Sequence, residues 1–563
     1  MSGVLRLAVS CLLVAGAVAP AVGTVAVPPD VAGPADATNL ADATDDTRPT
    51  QPRIVAVYPN PVVDGDRGEF VVLAVPNGTD LGRYRLADGD GTLGLPNRTV
   101  GGRVAVTTAP AAVRNLTRHL TVEATGSVAL ANGGERLRLR RGNTTVARAR
   151  YREAPEGEIG RFDDRGALAW RPLGRTSRSV VAATGGEVRA FTLPDAPGAP
   201  LDPLRGADDR ILLAGYTFTS ERVARALERA AGRGVDVRIL LDGEPVDGIS
   251  RRQARLLDSL ADAGVTVKLL GGPHGRYAFH HPKYAVADDR AVVLTENWKP
   301  AGTGGHASRG WGAVVSQPEI VDGLAETFRA DADWRGARPW SQVRRGRSFE
   351  RASVANGSYP GQRGPETLPV DRARLLVAPD NAGRAVTTAL HDAETSIDVI
   401  QMSIDGPDQR FLRATVRAAR RGVDVRVLLS GAWYVEEENR RLVEHLRAVA
   451  DREGLSLSAK LADPGGDFEK IHAKGAVIDG DEVLLGSLNW NGESVRQNRE
   501  VVLALEGAAV GEYYRSAFEA DWGGGAGGRS LPVGIAAGVV GCVLLAVLVA
   551  RRIDFGENVG VRG

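Results

Sequence analysis

The chain has 563 residues, 43% of them hydrophobic and 25% charged, with 69 glycines and 30 prolines; this composition fits a folded chain of several domains with room for linkers and excludes wholesale disorder. Seventy basic residues against 69 acidic ones leave a net charge of +1, so no global cationic field for nucleic acid or anionic lipid organises the molecule and any electrostatic site must be local. The two cysteines, Cys11 and Cys542, sit in apolar terminal stretches, which excludes a disulfide framework or a cysteine-based zinc site from the body of the chain.

Residues 1–23 carry Arg6, an apolar run from Leu7 to Ala19, then small residues, the pattern of a secretory signal peptide. Residues 24–51 follow as an acidic, disordered linker rich in Pro, Ala, Thr and Asp. Over 52–152 short alternating strands separated by turn residues (Ile54–Val57, Glu69–Leu73, Tyr84–Leu86, Val104–Val106) predict a small β-sandwich. The Glu69-Phe70 strand start, the turn and strand Asp80–Asp88, and Asn132–Leu139 make this region resemble a lamin-tail domain, which implies an Ig-like sandwich. Within it Arg136, Arg138 and Arg140 fall on one face of a strand and Leu137 and Leu139 on the other. A solvated edge face and a phosphate- or lipid-binding stripe are both open readings of those arginines.

From about 186 to 523 strand and helix patterns alternate, twice. Arg233-Gly234-Val235-Asp236 through Leu241 recurs as Arg421-Gly422-Val423-Asp424 through Leu429. Each copy follows an amphipathic helix (Glu221–Ala231, Phe411–Arg420) that is preceded by an apolar strand (Ile211–Leu213, Ile397–Ile400). Phe328 with Asp333-Trp334 matches Phe518 with Asp521-Trp522. An internal duplication explains this, with halves at 186–335 and 369–523, a linker at 336–368, and equivalent residues meeting about a pseudo-twofold axis. Residues 524–530 form a Gly-rich tether. Leu531 to Ala550 is a 20-residue stretch without charge, followed by Arg551 and Arg552, which predicts a transmembrane helix with the tail 551–563 in the cytoplasm. Everything between the two ends would then be extracellular, in keeping with glycosylation sequons at Asn77, Asn97, Asn115, Asn143 and Asn356.

One short pattern carries chemistry in each half. His281-Pro282-Lys283 is followed four residues later by Asp288, and His472-Ala473-Lys474 by Asp479 at the same spacing. The chain has only eight histidines, and we count six lysines, so two accidental copies in register are very improbable. On an extended segment a His and a Lys two apart share a face, so an imidazole and an ammonium converge on one point. The Asp of each copy falls on the other face and reads as a structural anchor. After Asp479 the chain reaches Gly486-Ser487-Leu488-Asn489-Trp490; the first half has Leu294-Thr295-Glu296-Asn297-Trp298 instead. These residues resemble the phospholipase D superfamily, whose motif is His-x-Lys-x4-Asp-x6-Gly-Ser-x-Asn. The second copy is complete; the first lacks the Gly and has Thr295 in place of the Ser.

The resemblance implies a duplicated α/β core, a mixed sheet flanked by helices with one active site between its halves, beside the all-β sandwich and the single C-terminal transmembrane helix. It further implies phosphodiester chemistry that needs no metal and no cofactor, through a phosphohistidine. The catalytic pair would be His281, as nucleophile, and His472, as general acid and then base. Lys283, Lys474, Asn297, Asn489, Thr295 and Ser487 would bind phosphate, and Asp288 and Asp479 would serve as structural residues. Family members carry a Glu beyond the Asn that orients a motif His. Glu500 fits it in the second half, whereas Ser308–Gly312 in the first offers no carboxylate. A metal site from His274, His280 and His281 is disfavoured because Lys283 would repel a cation. Both half-sites lie in one chain, so a monomer is expected. The expected substrate is phospholipid, by hydrolysis or phosphatidyl transfer; an extracellular nuclease acting on nucleic acid and an inactive cell-surface binding protein are the other readings.

Overall fold

The computed structural model describes residues 49–62, 68–272 and 275–524. The expected signal peptide, all but the last three residues of the acidic linker, the apolar stretch 531–550, the tail 551–563, most of the glycine tether and His274 lie outside the described residues. No helix among the described residues is long and apolar enough to cross a membrane.

The alternating N-terminal segments form two sheets. One is ordered Leu168–Pro172, Glu158–Phe162, Arg53–Tyr58, Phe70–Asp80, Thr99–Thr107, Leu120–Glu123; the other Thr125–Ser127, Thr92–Gly94, Tyr84–Ala87, Glu135–Arg141, Thr144–Tyr151. Apolar residues of both, including Val57, Leu73, Val104, Leu86, Leu137 and Leu139, close one core. The first sheet takes in two strands beyond 152, where the sequence pattern had placed the end of this region. The Asp80–Asp88 segment is a capped turn and strand: Asp80 accepts the Gly82 N–H at 3.1 Å, and the Asp88 carboxylate accepts those of Gly89, Asp90 and Gly91.

Alternation along Glu135–Arg141 buries Leu137 and Leu139 and exposes Arg136, Arg138 and Arg140. The neighbouring strands continue that face with the same charge, because Arg136 stands opposite Arg150, Arg138 opposite Arg148, and Arg140 opposite Arg85. Six exposed guanidiniums therefore share one surface.

The remaining chain builds two copies of a mixed sheet covered by helices. The shared sequence Arg-Gly-Val-Asp has a local cause. Helices Glu221–Gly232 and Arg410–Arg420 both end before a glycine at positive φ, +96° at Gly234 and +102° at Gly422, where a side chain would be strained. Arg233 and Arg421 then donate to carbonyls at the end of the preceding segment, Ala207 and Ala393 respectively. Each glycine turn feeds a parallel strand, Asp236–Asp242 or Asp424–Leu429, beside Arg210–Gly215 or Ser396–Gln401.

The halves exchange edges. Val181–Thr184, just ahead of the first half, pairs with Arg372–Ala378 of the second; Glu366–Pro369, just ahead of the second, pairs with Glu187–Leu193 of the first. Lys470–Ile471 pairs with Ser308–Val315, and His280 reciprocally bridges to Arg499. One apolar cluster, with Trp311, Leu324 and Phe328 from the first half and Tyr514, Val510 and Phe518 from the second, lies between them; each half also has an outer core of its own. The stretch 336–368, expected as a linker, is partly built in. Trp340 is 3% exposed and donates to Asp258 at 2.8 Å.

Candidate active site

The edge exchange sets His281 and His472 against the opposite half. A buried arginine stands at the start of the strand after each motif loop, Arg309 within it and Arg499 just before it, and the motif of the other copy hydrogen-bonds to that arginine's carbonyl. His281 donates its backbone N–H to Arg499 at 3.0 Å, and His472 and Ala473 donate theirs to Arg309 at 2.9 and 3.0 Å. The guanidiniums are fixed from both halves. Arg499 donates to Asp331 of the first half and Asp380 of the second, each at 2.9 Å; Arg309 donates to Asp521 of the second half at 3.1 Å and contacts Asp195 of the first. The sequence match of Asp333 with Asp521 is thereby corrected by two residues: the counterpart of Asp521 is Asp331, while Asp333 is an exposed helix cap. Apart from Asp521 as a marker of the duplication, these four carboxylates and two arginines had no role in the sequence reading, although Arg309 and Arg499 stand in equivalent places.

His281 is 8% exposed. Its Nδ1 lies 3.0 and 2.9 Å from the two carboxylate oxygens of Glu500, its Nε2 lies 2.9 Å from Lys283 Nζ, and the Tyr216 ring packs edge-on at 4.7 Å. Glu500 is thus where the sequence expected an orienting carboxylate, and it serves the histidine of the other half. Lys283 Nζ also donates to the His281 carbonyl at 2.8 Å, and Lys474 Nζ to the His472 carbonyl at 2.7 Å. His472 Nδ1 is 3.2 Å from Lys474 Nζ and 3.3 Å from Glu296 Oε2. The first half therefore does supply a carboxylate, Glu296, which the sequence reading did not assign.

Burial, opposed by Glu500 and reinforced by Lys283, brings the His281 imidazole down to about 4. Burial, then Lys474 and Lys283, holds His472 well below its ordinary value. Lys474 is brought down to about 8 by burial against the pull of Glu296 and Glu500, and Lys283 falls well below its usual range for the same first reason. Both imidazoles are accordingly neutral at pH 7, so His281 Nδ1–H donates to Glu500 and leaves the Nε2 lone pair on the lysine side.

Asp288 and Asp479 sit in the turns after the motif strands at φ +52° and +53°. Asp288 accepts the N–H groups of Asp208, Asp209 and Arg210 at 2.7 to 3.1 Å, and Asp479 those of Glu394, Thr395 and Ser396 at 2.6 to 3.1 Å. Burial would raise both carboxyls, but these donors hold them below the usual range. They are chain anchors rather than proton donors.

The two hydroxyls expected to touch phosphate are placed otherwise. Thr295 and Ser487 are fully buried, and their Oγ atoms accept the strand N–H groups of Trp311 and Val501, both at 2.9 Å. Their hydrogen bonds tie the end of one strand to its neighbour. Asn297 and Asn489 are half-buried at matching positions, each with a buried Oδ1 that has no partner. His280 Nε2 faces Asp331 at 3.6 Å, away from the Glu500 that His281 meets.

An exposed aromatic pair stands at the rim of the site. Trp433, 85% exposed, packs edge-on against Tyr434, whose ring lies 5.2 Å from Lys470 Nζ. Lys470 stands two residues before His472, and the charge of Glu296 reaches Tyr434.

A family described as cardiolipin synthase, PLD-like domain, matches residues 201–334 and 386–522. The mitochondrial cardiolipin hydrolases of Xenopus laevis and Xenopus tropicalis are 27% and 28% identical over 146 residues, 25% of this chain. The chain spans 62% of the length of these curated relatives. Among solved structures, the phosphatidylserine synthase of Haemophilus influenzae is 14% identical, with a TM-score of 0.43 over 58% of this chain and 83% of its own. The phospholipase D family member Nuc from Salmonella typhimurium is 21% identical, with a TM-score of 0.24 over 28% of this chain and 97% of its own.

Proposed function

Because the chain belongs to the phospholipase D superfamily, we propose that it is a metal-independent phosphodiesterase working through a phosphohistidine, with phospholipid head-group diesters as substrate. The observation that carries this reading is the pairing of the two motif histidines across the halves, each beside its own buried lysine and facing a carboxylate.

In the first step His281 Nε2 attacks phosphorus, the P–N bond forms, and the P–O bond to the leaving alcohol breaks as His472 gives that oxygen a proton. In the second, His472 takes a proton from water or an acceptor alcohol, whose oxygen displaces His281 and closes the cycle. Lys283 and Lys474, with the side-chain N–H groups of Asn297 and Asn489, meet the charge that builds on the phosphoryl oxygens. A diester anion between the lysines also favours the imidazolium form of His472 that the first step needs. His281 is the nucleophile in this scheme because Glu500 holds its Nδ1–H and leaves Nε2 to react.

Phospholipid is favoured over nucleic acid by two features. The curated relatives are named for cardiolipin hydrolysis, and Trp433 and Tyr434 give the rim an exposed aromatic pair of the kind that settles at a bilayer interface. The apolar stretch 531–550 would hold the chain at the membrane with its catalytic region outside. The full chain in neutral detergent, with EDTA present, is expected to release or exchange the head group of labelled phosphatidylglycerol and to leave plasmid DNA intact. Cleavage of DNA alone would turn the reading to a nuclease. Activity lost in EDTA and restored by a divalent cation would overturn the metal-independent route.

A further inference from the structure

The two motif loops differ by an exchange of residues between two positions in space. In the second half the variable motif position is Leu488, buried at 4%, and the residue after the buried Arg499 is Glu500. In the first half the variable position is Glu296, and the residue after the buried Arg309 is Gly310. Gly310 is therefore the counterpart of Glu500, and the carboxylate expected there is missing. Its volume is filled all the same. A Cβ built on Gly310 would lie 2.3 Å from Glu296 Cγ and 2.7 Å from Glu296 Oε1; one on Gly302 would lie 2.4 Å from Oε2. Glu296 thus lies in a slot that two glycines keep open. It is 2% exposed, with Oε2 3.3 Å from His472 Nδ1, and its Oε1 has no hydrogen-bond partner.

Resting on the phosphodiesterase reading, we propose that Glu296 is the positioning carboxylate of His472, supplied from the motif's variable position in place of one lost at Gly310. The apparent degeneration of the first motif is then a relocation, and the site keeps one carboxylate per histidine. The two remain unlike. Glu500 grips His281 with both oxygens and, with His281 and Lys283 outweighing burial, is held below the usual carboxylate range. Glu296 touches His472 with one oxygen, and burial raises it to about 7 against the opposing charges of Lys474, Lys283, Lys470 and Lys299; its charge also acts on Tyr434. A carboxylate that holds a proton near neutrality, beside the histidine that must alternately give and take one, suits the acid-base half of the pair.

The test uses the full chain with two phosphodiesters, one with a p-nitrophenolate leaving group and one with an aliphatic alcohol. Glu296→Gln keeps the shape of the side chain. It should lower kcat/KM by about 10²-fold or more on the aliphatic ester, where departure needs the acid, and by less than tenfold on the nitrophenyl ester. The acid limb of the pH profile near 7 should go with it, leaving the limb near 4 set by His281. Glu296→Leu with Gly310→Glu together copy the second half's arrangement and should regain most of the aliphatic-ester rate, while Glu296→Leu alone should not. Equal losses on both esters with no recovery in the double variant would overturn the proposal, since that is the mark of a purely structural side chain. An active wild type with Glu296→Gln unchanged would overturn it too. A wild type inert on both esters would overturn the phosphodiesterase reading, and this inference with it.

Discussion

At the residue scale the catalytic scheme makes the two histidines different in kind. Alanine at either should cost several orders of magnitude in turnover, since the two act as a unit and their losses do not add. A good leaving group separates them, because its departure needs little acid. With the nitrophenyl ester His472→Ala should accumulate phosphorylated enzyme and His281→Ala should not; phosphorylation of His281→Ala would reverse the assignment. Glu500→Gln leaves His281 facing an amide that can donate where an acceptor is wanted, and kcat should fall on the order of 10²- to 10⁴-fold with folding intact, as it does where a histidine loses the group that fixes its tautomer. The pair His281 and His472 and their lysines stood out in sequence because motif spacing is local, whereas Glu500 came only from the family resemblance. Glu296 did not stand out, because it stands at a position the motif leaves variable and its partner glycine is 14 residues on. A compositional signal did exist: four of the six lysines in this arginine-rich chain, Lys283, Lys299, Lys470 and Lys474, act on that one carboxylate.

At the scale of elements, the motif aspartates tie one strand's end to the start of another. Asp479→Ala removes the acceptor of three backbone N–H groups and puts Ala at φ +53°. Half-exposure tempers the loss, and about 2 kcal/mol of stability should go, read from a denaturant midpoint. Activity per folded molecule should persist; its collapse would make Asp479 part of the chemistry. Strands and helices of the duplicated region were readable from periodicity and from the Arg-Gly turn, which has a backbone cause. The arginine face was legible only in part. Alternation gave Arg136, Arg138 and Arg140, but the opposing Arg148, Arg150 and Arg85 depend on strand register, which no local pattern sets. Like charges directly opposite cost stability, so Arg138→Gln with Arg148→Gln should raise the melting temperature at low ionic strength, by an amount corresponding to about 0.5–1 kcal/mol, and the gain should shrink in 1 M salt. A gain unaffected by salt would point to packing instead.

At the scale of the molecule, duplication was visible in the repeated segments, whereas the exchange of edges and the crossed arginine ties were not, because pairings between distant segments leave no local trace. They bear directly on cooperativity. Arg499 stands in the second half yet neutralises Asp331 of the first, and both are essentially inaccessible. Burial would raise the Asp331 carboxyl, but Arg499 outweighs it and holds it far below the ordinary range. The native pair is therefore charged at neutral pH, and its contribution to stability is lost only as pH falls from the unfolded carboxylate value toward the folded one. Arg499→Met leaves Asp331 and Asp380 buried without their counter-ion, and a loss of about 3–5 kcal/mol is expected. In that variant only His280 and the Tyr277 hydroxyl still oppose the burial of Asp331, and the folded pKa of that carboxyl rises above the unfolded one. Its stability is then lost as pH rises, so the deficit against wild type should be larger at pH 8 than at pH 5. Because each half's histidine hangs on the other half's arginine strand, both halves should lose hydrogen-exchange protection together and calorimetry should show them in one transition. Two separated transitions, with the first half's protection unchanged, would mean that the halves fold independently and merely touch at the site.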